Sequence, residues 1–236
     1  VGFETLKANG PKAIPAVRKL LDNPNEYIQA RALWLLPLLG NDGLKIVNSI
    51  LTESPDEQKR LIAFRALRNA GQDVIGLVSK LSKEPSAAVR REAALALRDV
   101  PSDLKLPYLS SLLQQSEADD RTYLEACGIG AKGADTDQLW RELKKSAFIE
   151  NPIKWSEAFA RIAWRLRPLT AIEDLLNRAQ NITLSMGARI LAIESLAFYD
   201  NPSALPALLK AAKIQGPVGG EATRWLIHLG NTRWRK

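Results

Sequence analysis

The chain is short of the side chains that most catalytic and metal sites use: 236 residues include one Cys, one His and one Met. Cys127 alone cannot close an internal disulfide or build a Cys-rich metal site. His228 alone leaves no His pair for zinc and deprives most Ser-His and Cys-His mechanisms of their base. No metal, cofactor or catalytic residue is therefore expected. Long apolar runs are missing as well. The uncharged stretch from Ala32 to Asn41 is ten residues long and broken by Pro37, about half of the ~20 apolar residues that a membrane helix needs. Blocks of one charge sign are equally scarce. Residues 1–118 hold 16 basic and 13 acidic side chains, and residues 119–236 hold 17 and 13. Only Arg233, Arg235 and Lys236 form a basic group, at the very end.

What is present is the composition of an ordinary globular protein, 46% hydrophobic and 25% charged. Lys and Arg number 33 against 26 Asp and Glu, a net charge of +7 that permits attraction to polyanions. Its even spread favours a mixed, solvated surface. The chain starts at Val1 and its only Met is Met186, so it reads as a segment of a larger protein or as a processed one. The lack of disulfides leans towards a cytoplasmic setting.

A repeat runs along the sequence. Arg60-Leu-Ile-Ala63-Phe-Arg-Ala-Leu67 superposes without a gap on Arg90-Arg-Glu-Ala93-Ala-Leu-Ala-Leu97. Extending that register gives a ladder of Ala32, Ala63, Ala93, Ala126, Ala158, Ala192 and Ala222, spaced by 31, 30, 33, 32, 34 and 30 residues. Four positions on stand Leu36, Leu67, Leu97, Gly130, Ile162, Leu196 and Leu226. Repetition at this period is the mark of stacked supersecondary units.

Each unit has one plan. A first apolar stretch, often with a pair such as Leu20-Leu21, Ile50-Leu51 or Leu175-Leu176, is followed by a turn and then by the stretch carrying the ladder. Pro24, Pro55, Pro85 and Pro152 mark the turns, where a missing N–H is tolerated. Asp56 and Ser86 are expected N-caps, their side-chain oxygens accepting the first unpaired N–H groups. Val89, Ala93, Ala96 and Leu97 recur with helical period while Arg90, Arg91 and Arg98 point elsewhere. Alternating strand patterns are absent. The small ladder Ala lets neighbouring helices approach, and the Leu fills the space beside it. The fold class is thus all-α: a right-handed α-solenoid of about seven helical hairpins, one domain over 1–236, in which each hairpin buries its apolar face on the next.

The pattern resembles HEAT repeats of the short, PBS-lyase-like kind, and Val89-Arg90-Arg91-Glu92-Ala93-Ala94-Leu95-Ala96-Leu97 is its most typical stretch. A closer resemblance rests on Asp120-Arg-Thr-Tyr123-Leu-Glu125-Ala-Cys-Gly128-Ile-Gly130-Ala-Lys-Gly133, on Trp155 to Arg165 and on Ala188 to Leu196. These look like the HEAT segment of large planctomycete- and Bacteroidetes-type multidomain proteins, in which a membrane-bound or secreted dehydrogenase propeller precedes and a c-type haem domain follows. That resemblance implies an exported, periplasmic parent. It carries no chemistry over, because Cys127 lacks the Cys-x-x-Cys-His setting.

Three residues before each ladder Ala stand Gln29, Arg60, Arg90, Tyr123, Trp155, Arg189 and Gly219. With Arg65, Arg68 and Arg98 nearby, this row is a candidate strip for an acidic partner. The competing reading is pairing between repeats, since Glu92, Glu125, Glu157 and Glu221 stand one residue before the Ala. Arg161 and Arg165 share a helix face beside Trp164 and join the candidates, although most Trp in such folds are packing. Gly128 and Gly130 interrupt a helix, which calls either for close packing or for a ligand cleft. Gly128-x-Gly130-x-x-Gly133 follows a helical pattern and fails the strand context of a dinucleotide loop.

The expected function is a non-catalytic protein-interaction or inter-domain scaffold whose partner is a protein or neighbouring domains of the same chain. The alternative is a basic nucleic-acid-binding HEAT protein such as a HEAT-like DNA glycosylase, which the +7 charge and six Trp keep open.

Overall fold

A computed structural model describes residues 2–200 and 202–234. Arg235 and Lys236, two members of the basic terminal group, lie outside the described residues. Among the described residues the chain is helical throughout, with no strand. It forms two compact units, Val1–Val100 and Pro101–Lys236.

The first unit opens with α1 (Gly2–Ala8) and continues as three hairpins. These pair α2 (Ile14–Lys19) with α3 (Glu26–Leu35), α4 (Asn41–Glu53) with α5 (Glu57–Asn69), and α6 (Val74–Leu81) with α7 (Ala87–Ala96). The second unit has four. They are α8 (Ser102–Leu113) and α9 (Arg121–Gly130), α10 (Thr136–Ser146) and α11 (Glu157–Leu166), α12 (Ile172–Gln180) and α13 (Met186–Ala197), and α14 (Leu205–Ala212) and α15 (Pro217–Asn231). Within each unit the second helices stack in order: α3 on α5 on α7, and α9 on α11 on α13 on α15.

The expected caps form. Asp56 accepts from the Gln58 and Lys59 amides at the start of α5, and Ser86 accepts from the Val89 amide at the start of α7. Asn25, Asp120, Ser156 and Ser185 do the same for α3, α9, α11 and α13. Each satisfies an N–H that the first turn leaves unpaired.

The two ladders are the core. Ala32, Ala63, Ala93, Ala126, Ala192 and Ala222 are buried, as are Leu36, Leu67, Leu97, Ile162 and Leu196. Ala158 and Leu226 are half-buried. Close approach explains one glycine of the −3 row. A Cβ on Gly219 would fall 1.8 Å from the Ile214 carbonyl oxygen, so no larger residue fits where α15 packs on the preceding turn.

Candidate functional site

The −3 row points inward. Gln29 Nε2 donates to the Asn23 carbonyl at 2.6 Å, Arg60 Nη1 to Ser54 at 2.6 Å, Arg90 Nη1 to Glu84 at 2.6 Å and Trp155 Nε1 to Ile149 at 3.1 Å. All four reach back six residues, to a carbonyl at the end of the first helix or in the turn that follows it. Tyr123 Oη donates to Leu112 at 2.8 Å, and Arg189 Nε to Ala179 at 2.8 Å, from the same register. Helix C-termini leave carbonyls unpaired, and a donor on the following helix satisfies them. The row is therefore a clasp repeated in six of the seven hairpins, each of the six side chains giving a donor to a backbone carbonyl. Tyr123 is 1% and Trp155 5% exposed. The common feature was present in the sequence: every member but Gly219 carries an N–H or O–H donor, and none is acidic.

The other candidates are half-exposed and also engaged. Arg65 Nη2 donates to Glu92 at 2.7 Å and Arg68 Nη1 to the same carboxylate at 3.5 Å, tying α5 to α7. The Glu92 contact holds the Arg65 guanidinium above its ordinary pKa. Arg60 meets Glu84 at 2.7 Å. Arg98 lies 3.8 Å from Asp99. Arg161 Nη2 donates to Glu157 at 2.7 Å along α11. Arg165 crosses from α11 to Glu125 on α9 at 2.8 Å.

Arg165 also explains Gly128. A Cβ there would meet Arg165 Cζ at 2.1 Å and Nε at 2.2 Å. The space left by the missing side chain is filled by the guanidinium, so close packing and not a ligand cleft accounts for this glycine.

Aromatic packing separates into two groups, both in the second unit. Trp140 and Trp155 meet edge to face at 5.0 Å, and Phe159 lies 4.8 Å from Trp140, deep in the core. A second chain runs along the surface of the second helices. Trp164 of α11, Phe198 at the end of α13 and Trp225 of α15 make successive edge-to-face contacts at 5.6 and 5.7 Å. His228 continues it at 5.8 Å. Arg121 lies over Trp164 at 5.6 Å and Arg224 over Trp225 at 5.4 Å. Trp164 and Trp225 are half-buried and Phe198 is exposed. Trp164, Phe198 and His228 all stand six residues after a ladder Ala, a recurrence present in the sequence itself.

Two clefts open on this face. One of about 510 Å³ is lined by Trp155, Glu157, Arg161, Arg178, Ser185 and Glu194, among others. The other, of about 310 Å³, is lined by Asp120, Arg121, Leu124, Trp164, Phe198 and Trp225. Both include Arg161, Leu191 and Glu194, so they form adjoining parts of one groove across α9, α11, α13 and α15. One part is polar and the other is aromatic.

Arg178 is the unforeseen residue of this groove. It comes from α12, off the ladder, and is only 2% exposed. Its Nη1 donates to the carbonyls of Pro152 and Trp155, and its guanidinium stacks over the Trp155 ring at 5.4 Å. Its Nε has no hydrogen-bond partner, and among the described residues no carboxylate pairs with it. Burial alone lowers its pKa. A guanidinium stays charged even so.

No group of three or more His, Cys, Asp or Glu side chains that could hold a metal ion occurs among the described residues. Nor is any described helix long and apolar enough to cross a membrane.

Paired helices stacked through a repeated small-residue ladder define the class, an α-solenoid. Residues 44–126, from α4 into α9, match the sequence family of HEAT repeats. No match to a curated protein was found. HEAT repeats generally mediate protein interaction or scaffolding and are typically non-catalytic.

Proposed function

We propose that this chain is a non-catalytic interaction module that docks a protein partner, or a neighbouring domain of its own parent chain, in the groove on the second helices of α9 to α15. The observation that carries it is the run Trp164–Phe198–Trp225. Packing alone does not require three large aromatics in mutual contact and partly open to solvent at the surface of successive repeats. Aromatic side chains beside arginine are what protein interfaces concentrate. Arg161, on the shared edge of both clefts, and Arg165 beside it belong to this surface. Arg65 and Arg98, the exposed candidates of the first unit, are not part of this groove.

The reading extends to the parent protein. The run from Asp120 to Gly133 and the stretches at 155–165 and 188–196 support a place in an exported dehydrogenase and haem protein, where residues 1–236 serve as one spacer domain. A Cys-x-x-Cys-His motif in the coding sequence downstream of Lys236 checks that context. A nucleic-acid surface finds less support. Arg60, Arg65, Arg161 and Arg165 are each paired with a carboxylate of the same unit, whereas a phosphate-tracking strip needs its cations available.

Affinity capture from the source organism tests the docking reading. A partner retained by the wild-type chain and lost with the triple variant W164A/F198A/W225A is the expected result. Equal recovery by a folded triple variant, judged by unchanged far-UV circular dichroism, would count against it.

A further inference from the structure

Four charged side chains line the polar part of the groove, two of each sign: Glu157, Glu194, Arg161 and Arg178. Glu157 is answered by Arg161 at 2.7 Å. Glu194 acts electrostatically on Arg224, whose guanidinium is itself hydrogen-bonded to Glu221. Arg178 is answered by carbonyl oxygens and an aromatic face, which supply dipoles and no charge. The cleft is neutral in sum, and Arg178 is the cation in it that no carboxylate of the described residues touches.

We infer that this cleft receives a carboxylate side chain, an aspartate or glutamate of an extended partner segment, with the Arg178 guanidinium as its counter-charge. The inference rests on the reading of the groove as a docking surface and names the chemistry that surface selects. Four features support it. A buried guanidinium lacking an ionic partner is the costly half of an ion pair, and a carboxylate completes it. Nη1 is held by the two carbonyls and Nε is buried, so the carboxylate meets the guanidinium through Nη2, in a charge-assisted hydrogen bond that gives direction as well as attraction. Backbone at the start of α13 lies on the same cleft, at Ser185 and Gly187, and the positive end of that twelve-residue helix favours an anion. A Cβ on Gly187 would meet nothing within 4 Å, so the approach is open.

The adjoining aromatic part sets the rest of the segment. Leu124, Leu191, Trp164, Phe198 and Trp225 offer an apolar wall that suits a Leu or Phe of the partner a few residues from the acid. An acidic residue near an apolar anchor is then the recognised pattern. A uniformly charged polyanion would leave that wall bare.

Dye-labelled, end-blocked short peptides test this by fluorescence anisotropy. Each carries a central Asp, Glu, Asn, Gln or Lys with Leu or Phe at graded spacings. On the wild-type chain the Asp and Glu peptides are expected to bind about tenfold tighter than their amide counterparts. R178Q should abolish that preference and R178K should keep part of it. The indole N–H resonance of Trp155 should shift with the acidic peptide and not with the amide one. That readout and the peptide preference both come from the wild-type chain, so they stand even where R178Q fails to fold. Equal binding of acid and amide peptides, or a preference for Lys, overturns the inference while leaving the docking reading intact. Displacement of bound acidic peptide by single-stranded DNA of mixed sequence at matched ionic strength overturns it in favour of a polyanion. Binding of no peptide at all overturns it together with the docking reading.

Discussion

The two units share a repeat and differ in the aromatic side chains added to it. The first has four of the fifteen aromatic residues, Phe3, Tyr27, Trp34 and Phe64, and the second has the other eleven. Charge ties successive hairpins in both: Arg60 to Glu84, and Arg65 with Arg68 to Glu92, in the first, and Arg165 to Glu125 and Lys144 to Asp174 in the second. In the second, Trp140, Trp155 and Phe159 form a buried aromatic core, and Trp164, Phe198 and Trp225 form another at the surface. A HEAT-type hairpin needs only Ala and Leu to stack, so the aromatic surplus is beyond what the fold demands. The buried half of that surplus is stability, and the exposed half is where function is assigned.

The largest expected effect breaks the buried half. Trp140→Ala removes a fully buried ring from the three-ring cluster and should destabilise the chain by about 3–5 kcal/mol in urea titrations. All Trp except Trp34 lie in the second unit, so fluorescence reports that unit while far-UV circular dichroism reports both. If residues 1–236 behave as one domain, both signals shift together. Separate midpoints would make the units independent.

Gly128→Ala should come next. It drives a methyl group into the Arg165 guanidinium and disturbs the Arg165–Glu125 pair, with a cost of about 1–3 kcal/mol. Adding Arg165→Ala should return part of that cost. Additive losses in the double-mutant cycle would show that the two residues do not compete for the same space.

Charge pairs are expected to matter less. Glu92→Gln weakens the tie from Arg65 and Arg68, both partly exposed, and should cost no more than about 1 kcal/mol, less in high salt. A loss as large as that of Trp140→Ala would erase the contrast between the units. The smallest effect belongs to Glu221. A hydrogen bond from Arg224, chiefly, lowers its carboxyl pKa below the ordinary 4.5. Its contribution is therefore present above that value and lost as pH falls through the lower folded value. Glu221→Gln should flatten this part of the acid limb of a stability–pH profile. An unchanged limb would remove the pair from the account.

Much of the fold was legible because it is periodic. The Ala and Leu ladders, the turns at Pro and the caps at Asp56 and Ser86 follow from helical spacing and from what a helix N-terminus needs. The site was legible only in part. Spacing places Arg60, Arg90, Tyr123, Trp155 and Arg189 in one row. It says nothing of where a long side chain sends its polar end, and here every one is turned back onto a carbonyl. Arg178 was invisible for another reason. It lies in a first helix, outside the ladder, and its significance comes from a missing carboxylate that only three-dimensional neighbours reveal. Phe198 was missed although its six-residue offset from Ala192 repeats that of Trp164 from Ala158.

The central claim, that the aromatic groove of the second unit is the docking surface, is tested most directly by site-specific photo-crosslinking. A benzophenone amino acid is placed in turn at positions 161, 164 and 198 in the second unit and at 65 and 98 in the first, in the parent protein in its native host. The account predicts one discrete crosslinked species from 161, 164 and 198, identified by mass spectrometry as the same partner or neighbouring domain, and none from 65 or 98. Crosslinks from 65 and 98 with silence at 161, 164 and 198 would contradict it.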